Sequence, residues 1–124
     1  MKKAMFSQPM AGKTADEIAT ARERAIRILT KMDYEIMNTL FTDEWYSEDA
    51  MDERGVVNKP LCFLAKSIEN MSKCNAAYFC KGWETARGCR IEHDVAKAYG
   101  IEIIHEEEQT ARILGVSQVQ ISRL

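Results

Sequence analysis

The chain has 124 residues, a net charge of −2, 46% hydrophobic residues and 29% charged residues. This composition is typical of a soluble globular protein and excludes disordered, collagen-like and coiled-coil chains. A chain of this length buries about two-thirds of its extended surface, so we expect one domain over residues 1–124. Because basic residues are not in surplus, a nucleic-acid polymer is not an expected partner, although a local phosphate pocket remains possible.

The N-terminal residues and the cysteines indicate the compartment. We find no signal-peptide pattern and no membrane-spanning stretch, and therefore expect a cytoplasmic protein without a membrane partner. The four cysteines form no C-x-x-C pair, so we expect free thiols. The two histidines, His93 and His105, do not stand at ligand spacing from a cysteine pair. We therefore expect no metal, and nothing in the sequence indicates an organic cofactor.

Strand and helix patterns alternate along the chain. Apolar runs predict strands at Lys3 to Ser7, Tyr34 to Leu40, Ala76 to Cys80 and Ile101 to Ile104. Three-to-four-residue apolar spacing predicts helices that begin at the Thr14–Glu17 capping box, at Pro60 and near Thr85, the last ending at Gly100.

The remaining segments are less regular. Residues 41–59 are predicted to form a polar loop with room for a short helical turn. Residues 106–124 suggest a helix up to Gly115, followed by an edge strand or a tail lying on a partner subunit. We expect the acidic run Glu106 to Glu108 to be solvated.

This order of elements predicts an α/β fold. Strands that alternate with helices pair in parallel through right-handed crossovers, which gives a doubly wound sheet of four or five strands in three α/β/α layers. Ligands bind such sheets beyond the carboxyl ends of the strands, commonly between the first and third strands. The loops at residues 7–13 and 81–88 are therefore the candidate binding loops.

The first loop resembles a phosphate-binding loop. Ser7-Gln8-Pro9-Met10-Ala11-Gly12-Lys13-Thr14 differs from G-x-x-x-x-G-K-[ST] at Ser7, where the pattern has glycine. Neither the third nor the fourth strand ends in an acid that could hold magnesium, which argues against nucleoside-triphosphate hydrolysis. Two interpretations remain: an anion site at a helix N-terminus, or a Pro-Gly turn with Lys13 in solvent.

The second loop leads into a helix that carries Glu92. The residues three and four positions away from this glutamate are all small or apolar: Gly88, Cys89, Val95 and Ala96. Burial raises the pKa of a carboxyl group and a nearby helix N-terminus lowers it. The pattern leaves open whether the Glu92 carboxyl is buried or reaches water.

Other side chains of this loop have two interpretations each. Trp83 is either a platform on which a nucleobase stacks or a half-buried packing residue. Arg87 and Arg90 either bind a phosphate or a carboxylate, or lie in solvent.

Both loops together resemble a known family. Ser7-Gln8-Pro9-Met10 follows the first strand, and Gly82-Trp83-Glu84 precedes a register of Gly88, Glu92, Ala96 and Gly100. Over about residues 3 to 105 the sequence resembles the nucleoside 2-deoxyribosyltransferase superfamily, in particular small, mostly uncharacterised members with a Gly-Trp-Glu motif. The resemblance implies a flavodoxin-like, Rossmann-like sheet assembled into homodimers or larger homo-oligomers.

The resemblance also implies an activity. Members of the superfamily act on the N-glycosidic bond of 2-deoxynucleosides or their 5′-monophosphates, and the resemblance assigns the family's nucleophile to Glu92. The carboxylate would attack C1′ and form a covalent deoxyribosyl intermediate, which passes to another base or to water with net retention. A substrate phosphate would rest on Gly12, Lys13 and Thr14. The implied substrate-binding residues are Ser7, Gln8, Pro9, Met10, Gly12, Lys13, Thr14, Gly82, Trp83, Glu84 and Gly88.

One departure from the family pattern supports a second hypothesis. Family members often carry two aspartates at the positions that hold Ser67 and Asn75 here, so a helper acid is missing. The alternative is a nucleotide-binding module without catalysis. A third, structural or partner-binding hypothesis rests on residues 41–59 and on the C-terminal segment.

Overall fold

The structure is a computed structural model that describes residues 1–37 and 44–114. The strands are β1 Lys3–Ser7, β2 Glu35–Ile36, β3 Ala76–Phe79 and β4 Glu102–His105. The α-helices are α1 Ala15–Lys31, α2 Glu48–Glu53, α3 Lys59–Met71, α4 Arg87–Ala98 and α5 Glu106–Leu114. Short 3₁₀ turns occupy Glu44–Tyr46 and Trp83–Thr85.

The four strands form one parallel sheet in the order β2-β1-β3-β4. In its register Ala4 pairs with Ala76, and Ala76 pairs with Glu102. The chain leaves β1 toward one edge and later returns to β3 on the other side of β1. The predicted doubly wound α/β fold is confirmed, with four strands in the described part of the chain, and the strand order reverses between β1 and β3.

Successive β1 side chains point to opposite faces of the sheet, as strand geometry requires. Ala4 and Phe6 belong to the core cluster that holds the buried residues of α1. Met5 belongs to the cluster that contains Met71 of α3 and Ala96 of α4. Helices therefore cover both faces, and the same alternation turns Ser7 toward the α3 and α4 side.

Capping residues and glycines in the sequence predicted most helix ends to within about two residues. The capping box is present, because the Thr14 hydroxyl accepts from the Glu17 N–H while the Glu17 carboxylate accepts from the Thr14 N–H. Gly100 has φ 71° directly after the last turn of α4, the conformation that glycine tolerates best. All four cysteines are free. Among the described residues no helix is long and apolar enough to cross a membrane.

One predicted strand needs correction, a predicted helical turn and a predicted helix are found, and some predicted positions lie outside the described residues. β2 covers two residues rather than the run from Tyr34 to Leu40, of which 38–40 lie outside the described residues. The polar loop contains a 3₁₀ turn and α2 in its described part. α5 extends to Leu114, and the expected edge strand or tail beyond it lies outside the described residues.

Solvation of the whole acidic run was a wrong expectation. Glu106 is 4% exposed at the start of α5. Its carboxylate accepts from the Lys81 backbone N–H at 3.1 Å, from Arg24 Nε at 3.1 Å and from the Tyr78 hydroxyl at 3.4 Å. Three donors compensate the burial of this charge and fasten the N-terminus of α5 to the sheet.

Candidate active site

A cavity of about 360 Å³ opens at the carboxyl end of β1, where the strand order reverses. Four parts of the fold contribute to its wall: the end of β1 with its following loop, α1, α3 and the start of α4. The lining residues are Phe6, Ser7, Gln8, Met10, Ile18, Arg22, Ser67, Ala86, Gly88, Cys89 and Glu92.

Glu92 supplies the one carboxylate among the described residues that line this cavity. It is 8% exposed, because the same face of α4 buries Cys89 and Ala96 against the sheet. Burial raises the pKa of the Glu92 carboxyl, while the hydroxyls of Ser7 and Ser67 lower it in part. Of the two alternatives that the sequence pattern leaves, a carboxyl in water or a buried one, the structure shows that the Glu92 carboxyl is buried.

Ser7 is the second polar group of the cavity. It is 4% exposed, and among the described residues its hydroxyl oxygen has no hydrogen-bond partner of good geometry. It still lies close enough to Glu92 and Cys89 to lower the pKa of each. An unsatisfied buried hydroxyl is costly in a native protein, so this one is available to a ligand.

Cys89 is not suited to act as a nucleophile. Burial raises the pKa of its thiol to about 11, although the Ser7 hydroxyl opposes part of the rise. The reactive form of cysteine is the thiolate, which is scarce at neutral pH when the pKa is so high.

Arg22 is a cavity residue that the sequence analysis missed. Its Nη1 is buried without a hydrogen-bond partner among the described residues, and its guanidinium carbon lies 5.3 Å from the centroid of the Phe6 ring. A signal was present, since Arg22 stands four residues after Ile18 and three before Ala25, on the apolar stripe of α1. A charged residue on such a stripe marks a functional candidate.

The predicted binding residues divide among three cavities. Four of them join Glu92 in the first: Ser7, Gln8, Met10 and Gly88. Gln8 is partly committed to structure, because its Nε2 donates to the Ile18 carbonyl at 3.1 Å.

A second cavity of about 500 Å³ holds Pro9, Lys13 and Gly82 together with Arg24 and Lys81. Gly12 and Thr14 are not lining residues of these cavities, and the Thr14 hydroxyl is occupied by the helix cap. The residues that the resemblance assigns to a phosphate therefore lie outside the Glu92 cavity.

Trp83 and Glu84 line a third cavity of about 200 Å³. The Trp83 ring stacks on His93, with centroids 4.0 Å apart and planes 10° apart. Trp83 thus packs on His93 and lies outside the Glu92 cavity, and its role in substrate binding stays a prediction. Arg90 donates to the Glu84 carbonyl at 2.9 Å, and Arg87 is exposed.

The two positions at which the superfamily that the sequence resembles carries acids separate in space. Ser67 of α3 lines the cavity beside Glu92. Asn75 precedes β3 at the opposite end of the sheet, where its Oδ1 accepts from the Lys3 N–H at 2.9 Å. Only the first position can influence chemistry at Glu92.

No cluster of three or more histidine, cysteine, aspartate or glutamate side chains suited to a metal ion occurs within residues 1–37 and 44–114. The functional groups that line the Glu92 cavity are a buried carboxyl, two hydroxyls, a thiol, an amide and a guanidinium. They can supply a nucleophile, hydrogen bonds and a fixed positive charge.

Comparison with known proteins identifies a family without a described function. A protein-family model described as "Domain of unknown function (DUF4406)" matches residues 6–105. No curated protein matches the chain. No solved structure matches it either. Since the family model covers most of the chain, including the cavity residues from Phe6 to Glu92, the chain belongs to the DUF4406 family.

Proposed function

We propose that this protein cleaves or exchanges the N-glycosidic bond of 2-deoxynucleosides or their 5′-monophosphates, with Glu92 as nucleophile. The observation that carries the proposal is the buried Glu92 carboxyl in a cavity at the switch point of the sheet, beside a hydroxyl without a partner. The resemblance of the two loops to the deoxyribosyltransferases gives this carboxylate its role.

The reaction would have two steps. The Glu92 carboxylate attacks C1′ as the bond to the base breaks, which leaves an ester between the enzyme and the deoxyribosyl group. Water or a second base then attacks C1′ and releases the carboxylate, so that the configuration is retained. The Ser67 hydroxyl lies near enough to Glu92 to help hold its carboxylate in position, which leaves the Ser7 hydroxyl to the substrate.

The test uses the four common deoxynucleosides and their 5′-monophosphates, each with and without an added free base. Chromatography measures the released or exchanged base, and mass spectrometry of the Glu92 peptide detects the ester. We expect Glu92→Gln to abolish base release and Asp94→Asn, an exposed change on the same helix, to retain it. Unchanged base release in Glu92→Gln would refute the nucleophile.

A nucleotide-binding module without catalysis is the second candidate. It is favoured by Ser67, which stands in the cavity where the resemblance leads one to expect a helper acid. Many glycosidases use a pair of carboxyl groups, and the described lining residues provide one. Saturable nucleotide binding with no base release from any of the substrates would establish this candidate.

Assembly and location complete the proposal. We propose a homodimer or larger homo-oligomer in the cytoplasm that binds a small nucleoside or nucleotide rather than a nucleic-acid polymer. The balanced charge of the chain and the family resemblance support this. Light scattering coupled to size-exclusion chromatography measures the assembly directly.

A further inference from the structure

Arg22 places a fixed positive charge in the cavity, and no negatively charged partner of this group occurs among the described residues. A guanidinium stays protonated under all physiological conditions and only donates hydrogen bonds. Among the described residues no ion pair reaches Arg22, and its Nη1 donates to no acceptor. No ion pair joins the Arg22 guanidinium to the Glu92 carboxylate within the described part of the chain, so the two charged groups of the cavity do not pair with each other.

The proposed reaction creates a matching negative charge. When the glycosidic bond breaks, the base nitrogen keeps the bonding electron pair, so the base departs as an anion unless an acid protonates it. At the position of the missing acid the cavity holds Ser67, a hydroxyl too weakly acidic for this role. The Cys89 thiol binds its proton tightly, with a pKa of about 11.

We infer that Arg22 binds a carbonyl oxygen of the departing base and stabilises the anion that forms there. This inference rests on the proposed function and extends it to the substrate class, namely nucleosides whose base carries a carbonyl group. Guanidinium recognises such acceptors with directed N–H groups. Adenine has no carbonyl oxygen, and deoxyadenosine is therefore the poorest of the common substrates.

The step balances without a proton from the protein. Glu92 forms the O–C1′ bond while the C1′–N bond breaks, and the electron pair delocalises from the base nitrogen onto the carbonyl oxygen held by Arg22. Arg22 keeps its proton throughout, and the base anion takes a proton from water after it leaves the cavity. Water then attacks C1′ as the C1′–O bond to Glu92 breaks, which restores the carboxylate, and the proton that this water releases replaces the one taken up by the base.

Leaving-group chemistry tests this assignment. The substrates are thymidine, 2′-deoxyuridine and 5-fluoro-2′-deoxyuridine, whose bases differ little in size and become more acidic in that order. In Arg22→Gln we expect kcat/KM for deoxyuridine to fall about 10²–10³-fold, as for other residues that stabilise developing charge. The loss should be smaller for the fluoro substrate, whose base anion needs less stabilisation. Arg27→Gln, an exposed change on the same helix, is the matched control.

The unmodified protein provides an independent readout. The pH profile is measured with deoxycytidine, whose base carries a carbonyl group but no N–H that ionises in this range. Because arginine does not titrate, kcat/KM for deoxycytidine should rise as Glu92 ionises and then stay level to about pH 9. An alkaline fall in rate would show a protonated general acid and overturn the inference. An equal loss for all three substrates in Arg22→Gln would also overturn it, since that result indicates a merely structural residue.

The two proposals fail in different ways. If no deoxynucleoside releases its base in the wild type, the glycosidic function fails and the inference fails with it. If release depends on Glu92 but deoxyadenosine reacts as fast as deoxyuridine, only the inference about Arg22 fails. Calorimetry with free uracil tests the contact between Arg22 and the base carbonyl without turnover. We expect the double variant Glu92→Gln with Arg22→Gln to bind uracil more weakly than Glu92→Gln alone.

Discussion

At the residue scale, Glu92 lies in a buried position where ionisation of its carboxyl lowers the free energy of unfolding. Its carboxyl is buried, and its pKa is raised mainly by loss of water. The folded protein therefore holds this proton more tightly than the unfolded chain, whose ordinary carboxyl value is 4.5. Below that value the carboxyl is neutral in both states, and as the pH rises the folded state must carry a buried charge that the unfolded state carries in water.

We predict that Glu92→Gln stabilises the protein at pH 7 by on the order of 1 kcal/mol, because the neutral amide removes this buried charge. The advantage should shrink as the pH falls toward 4.5, where wild type and variant are both neutral at this site. Urea unfolding at several pH values measures the difference. An advantage that stays constant between pH 4 and pH 7 would show that ionisation of Glu92 is not its source.

Two residues show how far single positions could be predicted. The stripe of small residues around Glu92 correctly marked an unusual glutamate, because helical spacing is a local property. Burial of Glu106 depends on three distant donors: Arg24 of α1, Tyr78 of β3 and Lys81 of the loop after β3. Such long-range contacts leave no periodic signal, and a run of three acids is normally solvated.

At the scale of elements, two histidines join α4 to β4. His93 Nε2 lies 3.0 Å from His105 Nε2, and His105 Nδ1 lies 3.5 Å from a Glu108 oxygen of α5. One imidazole must be neutral for the other to donate to it. The pKa of His93 is lowered by burial first and then by His105 and Lys97, against the opposing effect of Asp94 and Glu84.

We predict that acid weakens this junction. Because the folded pKa of His93 lies below its ordinary value of 6.5, the unfolded chain takes up the proton more readily. The stability that the pair provides is complete above pH 6.5 and is lost as the pH falls below it. Melting curves between pH 7.5 and 5 should show a smaller drop in Tm for His93→Gln than for wild type, since the amide still donates but cannot become charged.

An exposed glutamine substitution that leaves the pair intact, Lys97→Gln, is the comparison for that experiment. It should keep most of the wild-type pH dependence, because it removes a minor contribution to the pKa of His93. Equal slopes in wild type and His93→Gln would mean that other groups set the acid sensitivity. NMR titration of the two imidazoles then reports directly which ring gains the second proton.

Elements with strong local signals were predicted well, and the exceptions have a physical cause. Thr14 with Glu17 and Gly100 fixed helix ends, because capping and a positive φ are decided by a few neighbouring residues. Within the described residues β2 is shorter than its predicted run, since strand length depends on the partner: Glu35 and Ile36 pair with Lys3 and Ala4 of β1, and the Met37 N–H makes one more bond to the Ala4 carbonyl.

At the scale of the whole molecule, topology explains why the predicted binding residues separate. The loop after β1 runs between two cavities, so Gln8 and Met10 line the one with Glu92 while Pro9 and Lys13 line the other. Side chains alternate along residues 8 to 10, and a turn closed by the bond from the Lys13 N–H to the Met10 carbonyl separates Met10 from Lys13. The order of residues in the sequence does not show either effect. The sequence could therefore predict which loops form the site, but not which cavity each side chain enters.

The thermal stability of the whole molecule with bound ligand can distinguish an enzyme from a binding module. A ligand that binds the folded state alone raises its stability by about 2.7 kcal/mol at a concentration of 100 Kd. For a chain of this size that corresponds to a rise in Tm of roughly 10 °C. We expect a deoxynucleotide or deoxynucleoside to raise the Tm of Glu92→Gln in this way, since the amide keeps the shape of the cavity.

The dependence of the rise in Tm on incubation time distinguishes the two functions. In an enzyme the rise in Tm should fade when wild type is incubated with the ligand for hours before melting, because base and sugar separate, whereas it should persist in Glu92→Gln. In a binding module wild type and variant should keep the same rise however long they are incubated. A shift that fades equally in both proteins would indicate ligand breakdown independent of Glu92, and would leave the carboxylate without its proposed role.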